Sequence, residues 1–304
     1  MASVSAELAE LWAKSSTRKG QPGESLATHT LAVLQRYEAW QRFLPGWPTL
    51  CGDPQLWHRL TLACLFHDLG KAASGFQAQV RPGGGPWGKR HEVLSLAFLD
   101  WAVPFSPGLS DDYVWIAAAV VSHHRDLDWI QRKHDERPSD DSDDPSSLRW
   151  LVEELTPEAI VQLAEWLGHP GPIRGVPLQL PADPAADILA QGRLRIIRCL
   201  TLLRRLVADL PTQPLEVRLR SLAYRGFLVL ADHCASAGMN PYGLDSCTPD
   251  CMSSALGLER PYRHQQQLAE VLGNAILLAP TGSGKTEASL LWLEHQLSQA
   301  PAGR

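Results

Sequence analysis

Apolar residues recur at steps of three and four through most of the first 237 positions, the period of an α-helix with one buried face. Leu26, His29, Val33, Tyr37 and Trp40 share a stripe of a helix predicted over 25–40, and Leu56, Leu60, Ala63 and His67 share one over 55–69. His91 opens a helix through about Trp101, with Leu94, Phe98 and Trp101 on its stripe. Tyr113, Ile116, Val120 and His123 line a helix over 111–124, where Asp111 and Asp112 suit the positive N-terminal end. Further helices are predicted over 5–14, 147–167, 185–210 and 215–236. Polar, Gly- or Pro-containing stretches separate them. The segment 134–147, HDERPSDDSDDPSS, is almost without apolar groups and reads as a solvated loop.

The pattern changes near the C-terminus. Gly238 to Gly257 reads as a linker, and Asn274 to Ala279 as a short buried strand that runs into a Gly-rich loop and a helix over 284–298. The chain therefore divides into a helical domain (1–237), a linker (238–258) and a C-terminal fragment (259–304). The fold class is mainly α with a truncated α/β fragment at the end.

Composition adds little to this picture. An apolar fraction of 44% is that of a globular protein, and Gly and Pro, 23 of each, supply the loops. The net charge of −5 neither advertises nor excludes a nucleic-acid partner, because a local basic patch suffices. No apolar run approaches the roughly 20 residues that cross a bilayer, so no membrane partner is expected. The six cysteines form no disulfide framework, and Met1-Ala2-Ser3 opens no signal peptide, so the cytoplasm is the expected setting. Cys247 and Cys251 lack the CxxC spacing of zinc sites and read as thiols in a linker.

The chemistry resides in His29, the pair His67-Asp68, Lys71, His91, the pair His123-His124, and Asp232, which fall on the predicted helices or at their ends. Imidazole and carboxylate hold divalent metals of intermediate hardness, and burying so many of them without a ligand is costly. Adjacent residues on a helix diverge by about 100°, so each pair can straddle a cavity and serve two metals. Asp68 is the natural bridge between two cations roughly 3.5–4 Å apart, which together clamp a phosphate and activate water. Lys71 is placed either to reach a scissile phosphate or as a surface lysine at a helix end.

These residues resemble the motifs of the HD superfamily of metal-dependent phosphohydrolases. More closely, they resemble the HD nuclease domain of the CRISPR-associated nuclease–helicase of type I systems. The matching pieces are His29, Phe66-His67-Asp68-Leu69-Gly70-Lys71, His91-Glu92-Val93-Leu94-Ser95, Ser122-His123-His124 and Ala231-Asp232-His233-Cys234-Ala235-Ser236. The resemblance implies an HD helical bundle and two divalent transition-metal ions, manganese, nickel, cobalt or iron. It implies one metal on His29, His67, Asp68 and Asp232 and a second on Asp68, His91, His123 and His124. It further implies single-stranded DNA as substrate, displaced when a crRNA-guided type I surveillance complex pairs with its target, and recruitment by that complex. An HD-superfamily nucleotide phosphohydrolase is the alternative enzyme, and a non-catalytic adaptor with a structural metal is the alternative outside enzymes.

Residues 279–286, Ala-Pro-Thr-Gly-Ser-Gly-Lys-Thr, miss the strict phosphate-loop form, since Ala279 replaces its first Gly, but fit the helicase form A-x-T-G-x-G-K-T. Backbone N–H groups around Gly282 and Gly284 would cradle phosphates, Lys285 would reach the β/γ oxygens, and Thr286 would hold magnesium. Arg260-Pro261-Tyr262-Arg263-His264-Gln265 resembles the adenine-contacting segment of superfamily 2 helicases, with Gln265 in the glutamine position. The resemblance implies the start of a RecA-like lobe using ATP and Mg. Arginines 193, 195, 198, 204 and 205, with Lys89 and Arg90, are candidate backbone contacts, though a solvated helix face accounts for most of the five.

The chain stops 18 residues after Thr286, without an acidic magnesium-binding strand or an arginine-bearing second lobe. By itself it is expected neither to hydrolyse ATP well nor to unwind DNA. A DNA-stimulated ATPase rate above that of a Lys285→Ala control would contradict this.

Overall fold

A computed structural model describes residues 8–16, 20–105, 110–133, 148–169, 176–239 and 261–299. The polypeptide divides into two compact units, 1–239 and 240–304. In the first, a two-stranded antiparallel ribbon, β1 (Trp12–Lys14) and β2 (Glu24–Ser25), leads into helices. These are α1 (Leu26–Phe43), α2 (Trp47–Leu50), α3 (Leu56–Phe66), α4 (Ser74–Val80), α5 (His91–Ser95), α6 (Leu99–Ala102) and α7 (Ser110–Ser122). Then come α8 (Leu127–Lys133), α9 (Leu148–Val152), α10 (Pro157–Leu167), α11 (Pro184–Asp209) and α12 (Leu215–Ser236). The second unit carries α13 (Arg263–Ala269) and α14 (Lys285–Gln299). No helix among the described residues is long and apolar enough to cross a membrane.

Side-chain caps start three of the long helices. Ser25 accepts from the Thr28 N–H, Thr156 from Ala159 and Asp183 from Ala186, and proline at the first turn follows the last two. Apolar stripes then pack the bundle. α1 lies against α12 and α3, and α3, α12 and α11 lie against α7. Phe66, Tyr37, Trp101, Tyr113 and Tyr224 are fully or almost fully buried between them.

Three predicted elements differ. The helix over 5–14 is replaced, within the described residues, by β1. Leu11 and Ala13 are buried while Trp12 and Lys14 are half-buried, a period of two. Gln77 holds this strand by a long-range contact, its Oε1 accepting from the Trp12 N–H and its Nε2 donating to the Trp12 carbonyl, both at 2.9 Å. The helix over 91–101 is broken into α5, a 3-10 turn (Leu96–Phe98) and α6, where Ala97 comes so close to α11 that a Cβ on Gly192 would sit 3.2 Å from its own. The strand over 274–279 is absent. Ile276 and Leu278 are 90% and 92% exposed, and the run has no neighbouring strand among the described residues to take its backbone hydrogen bonds. The acidic segment 134–147 and most of the linker, with Cys247 and Cys251, lie outside the described residues.

Two of the arginines on α11 belong to the interior. The guanidinium of Arg195 donates to both oxygens of Asp187 at 2.7 Å and to Asp100 at 2.8 Å, and Trp101 Nε1 donates to Asp187 at 2.9 Å. Arg198 pairs with Asp100 and stacks on Phe105. These two charges hold α6 to α11 and are not free to follow a nucleic-acid backbone. Arg195→Ala leaves Asp187 with Trp101 alone and Asp100 with Arg198 and Tyr113, in a partly buried place, and is expected to cost about 1–3 kcal/mol in chemical denaturation. Partial burial pushes the Asp187 carboxyl up, but the bonds from Arg195 and Trp101 outweigh it and hold the group below its ordinary range. Its contribution is therefore present above the unfolded-state value of about 3.9 and lost as pH falls below that. The stability gap between wild type and Asp187→Asn, followed by thermal melts, should stay constant from pH 7 to 5 and close in more acidic buffer.

Candidate metal centre

α3 ends at Phe66 and the chain re-forms as a 3-10 turn at Leu69–Ala72, so His67 and Asp68 occupy the break between two helical pieces. α7 likewise ends at Ser122, which leaves His123 and His124 in the turn beyond it. The sequence places these pairs in the last turns of helices over 55–69 and 111–124; in the structure the helices end just before them. On a regular helix neighbouring side chains diverge by about 100° and would not meet. The break lets His67 Nε2 and Asp68 Oδ2 approach to 3.1 Å. His29 comes from α1, His91 from the first position of α5 and Asp232 from α12.

These residues converge on Asp68, which is 1% exposed. Its Oδ2 lies 3.3 Å from His29 Nε2, 3.1 Å from His67 Nε2 and 2.7 Å from Lys71 Nζ. Its Oδ1 lies 3.1 Å from His91 Nε2 and 3.7 Å from His123 Nε2. Two ligand groups result, each with its donor atoms within 4.8 Å of one another: His29, His67 and Asp68, and Asp68, His91, His123 and His124. Asp232 joins the first through His29 Nε2 at 3.1 Å without belonging to that mutual set, and Ser236 Oγ donates to its Oδ1 at 3.2 Å. Lys71 is buried with its ammonium on Asp68, which removes the surface-lysine reading.

The donor set fits divalent cations. The Nε2 atoms of His29, His67, His91 and His123 and both Asp68 oxygens are buried without a properly aligned hydrogen bond, although they crowd one another at 3.1–3.7 Å. Buried polar atoms left so cost free energy unless a ligand takes their lone pairs. On the far side of the rings, His67 Nδ1 contacts the Cys64 carbonyl at 2.8 Å and His123 Nδ1 the Val120 carbonyl at 2.6 Å. A carbonyl only accepts, so each Nδ1 carries the hydrogen and each Nε2 lone pair faces Asp68.

Most of the charge states agree with this reading: Asp68 and Asp232 favour the anion and His67, His91 and His124 the neutral ring, while His29 and His123 are drawn the other way by their carboxylate neighbours. Burial alone would raise the Asp68 carboxyl, but His67 and Lys71, with His123 and His29, outweigh it and hold the group well below its ordinary range. Asp232 is lowered in the same way against its burial, by His29 and His67. Burial pushes His67 and His91 down. His124 keeps an edge in solvent, yet partial burial and then His123 and His91 bring it to about 2. His29 and His123 are raised, because their carboxylate neighbours overcome burial.

Several residues support the site in ways the sequence reading did not assign. Ser95 Oγ accepts from the Gly70 N–H at 2.9 Å and lies 2.9 Å from both the His67 and His91 carbonyls. Gly70 meets α5 so closely that a Cβ would fall 2.1 Å from the His91 carbonyl oxygen. Glu92 is fully buried with Oε2 3.6 Å from His91 Nδ1, and Lys14 Nζ on β1 lies 3.3 Å from His29 Nδ1. Gly70, Glu92 and Ser95 lie inside the matched motifs, but their contacts, like that of Lys14, are not read from the motif strings. Beside His123 and His124 a cavity of about 420 Å³ opens, lined also by Leu222, Arg225, Val229 and His233. Gly70→Ala should cost about 1–3 kcal/mol or more by forcing α5 away from the turn, and should lower metal affinity as well; unchanged melting and unchanged metal titration would refute the close-packing argument.

The second unit places its motif residues together. Gly282 and Gly284 both take φ of 78°, open to glycine alone at little cost. Gln265 Nε2 donates to the Gly284 carbonyl at 3.0 Å, and Lys285 Nζ to the Ala279 carbonyl at 2.9 Å. With Tyr262 and Thr286 they line a cavity of about 530 Å³.

No curated protein and no solved structure matches the chain. A family model does: Cas3, HD domain, over residues 12–238, a span containing every residue of the cluster around Asp68. The match covers well over half of the 304 residues, and with the mainly helical fold and the paired His/Asp groups it leads to one conclusion. The chain belongs to the Cas3 HD-domain family, metal-dependent HD-type nucleases of CRISPR systems that act on DNA.

Proposed function

We propose that residues 1–237 cleave single-stranded DNA at two divalent cations bridged by Asp68, in type I CRISPR interference. The observation that carries this reading is that one buried carboxylate turns Oδ2 to His29 and His67 and Oδ1 to His91 and His123. One cation would take His29, His67, Asp68 and Asp232, and the other Asp68, His91, His123 and His124, from among manganese, nickel, cobalt and iron. Bound there, the cations supply Lewis acidity to a phosphodiester and to water.

The protein's own contribution is orientation and charge. The Cys64 and Val120 carbonyls hold two imidazoles with Nε2 inward. Ser236 steadies Asp232, and Lys71 sets its ammonium against Asp68, from where it would reach a bound phosphate. Family membership weighs for DNA over the free nucleotides of a phosphohydrolase. The cavity beside His124, bounded by one face of α12, suits a flexible strand better than a duplex. A crRNA-guided complex would present that strand by displacing it, in the cytoplasm.

For residues 259–304 we infer a phosphate loop in which Gly282, Gly284, Lys285 and Thr286 serve ATP and Mg and Gln265 serves adenine, as the start of a helicase lobe. The φ values of the two glycines support this.

Circular single-stranded DNA, which has no ends, tests the nuclease. Cleavage is expected with manganese, nickel or cobalt and is expected to stop with a chelator. Asp68→Ala should reduce it by more than the roughly 10–100-fold that loss of an outer-shell partner costs, and Lys71→Ala by less than Asp68→Ala. Elemental analysis should find two metal ions per wild-type chain. Undiminished cutting by the Asp68 variant would remove the bridge, and hydrolysis of nucleotides with DNA left intact would replace the nuclease by a phosphohydrolase.

A further inference from the structure

Trp129 on α8 gathers three cations around one indole. The guanidinium carbon of Arg90 lies 4.6 Å from the ring centroid, that of Arg125 5.5 Å, and Lys133 Nζ 5.3 Å. Trp129 is half-exposed, and Arg125 and Lys133 are exposed. The indole is held in place from behind: it packs on the core cluster, and the Asp126 carboxylate caps its backbone N–H at 2.7 Å. Of the acids nearby, buried Glu92 pairs with Arg90 at 3.5 Å, Asp126 is occupied by that cap, and Asp128 stands exposed in the first turn of α8. Three positive charges about one ring repel one another, and in a chain of net charge −5 their concentration here invites a polyanion.

The position of the patch says which polyanion. Arg90 directly precedes His91 and Arg125 directly follows His124, whose rings stand 5.0 Å apart. The patch is therefore the rim of the second ligand group. A partly exposed aromatic ring with cations over it can bind single-stranded nucleic acid when the exposed cations turn to phosphates and leave the ring to a base. An acidic protein segment would use the cations but has no use for the indole.

We propose that Trp129, with Arg90, Arg125 and Lys133, is a nucleotide-binding platform that stacks a base of single-stranded DNA beside the His91–His124 ligands. It rests on the nuclease reading, but its test does not require cleavage.

Binding is measured on the full chain in chelator, by fluorescence anisotropy of a labelled oligonucleotide and of an abasic strand of equal length. Wild type should prefer the base-bearing strand by about ten-fold, and Trp129→Ala should abolish that preference while Trp129→Phe retains most of it. Arg125→Gln and Lys133→Gln, on exposed side chains, should each reduce the salt slope of binding by about 0.7. Circular dichroism checks the fold of each variant; should Trp129→Ala unfold, the Phe and Gln variants decide. A base preference that survives in a folded Trp129→Ala overturns the platform, as does an unchanged salt slope in both Gln variants. Binding of polyglutamate as tight as that of DNA assigns the patch to an acidic protein and also overturns it. If the circular strand is not cut with any metal but the base preference depends on Trp129, the nuclease reading fails and the platform stands.

Discussion

A carboxylate buried at the centre of four imidazoles is the constraint from which the rest of the first unit follows. Asp68 is almost inaccessible to water, and an isolated anion there would be driven to take a proton. It stays ionised because His67, Lys71, His123 and His29 surround it. Those groups in turn come from α1, the end of α3, the turn after it and the end of α7, so the helices must pack in one register to keep the charge balanced. The apolar core supplies the driving force for that packing, and the polar centre makes the register specific.

The ligands stand at helix breaks as well as on helices, and this follows from geometry. A continuous helix separates neighbours in sequence around its axis, whereas a chain that stops and turns can direct both toward one point. His67-Asp68 and His123-His124 exploit such stops. The remaining ligands lie on or at the start of helices, where single residues suffice.

Much of the fold was legible in the sequence, because it depends on periodicity, whereas the two proposed ligand sets came from the resemblance of short motifs to a known family. His29, His67 and His123 sat on apolar stripes, which marked them as interior before any contact was known. What was not legible came from contacts distant in sequence. β1 pairs with β2 and is held by Gln77, Ala97 in the break of 91–101 packs on Gly192, and Arg195 is buried between Asp100 on α6 and Asp187 two turns back on its own helix. An arginine spaced along a helix reads as solvated when one of its partners lies on another element. The expected strand at 274–279 failed for the converse reason: its residues are apolar, but a strand is defined by neighbours, and no partner strand is described here.

The junction of Gly70, Ser95 and His91 carries one more implication. Its hydroxyl and its close backbone approach pin together two points of the chain on either side of α4 and the Gly- and Pro-rich stretch 81–88. That stretch is thus an arch whose feet are clamped. Lengthening an arch costs only the slow logarithmic entropy of a longer loop and leaves its feet where they were. Trp87 is tied to Gln79 and Glu154 and Arg81 to the Glu10 carbonyl, so the exposed run 82–86 between them is where this chain can accept inserted sequence without disturbing the spacing of His67, Asp68 and His91.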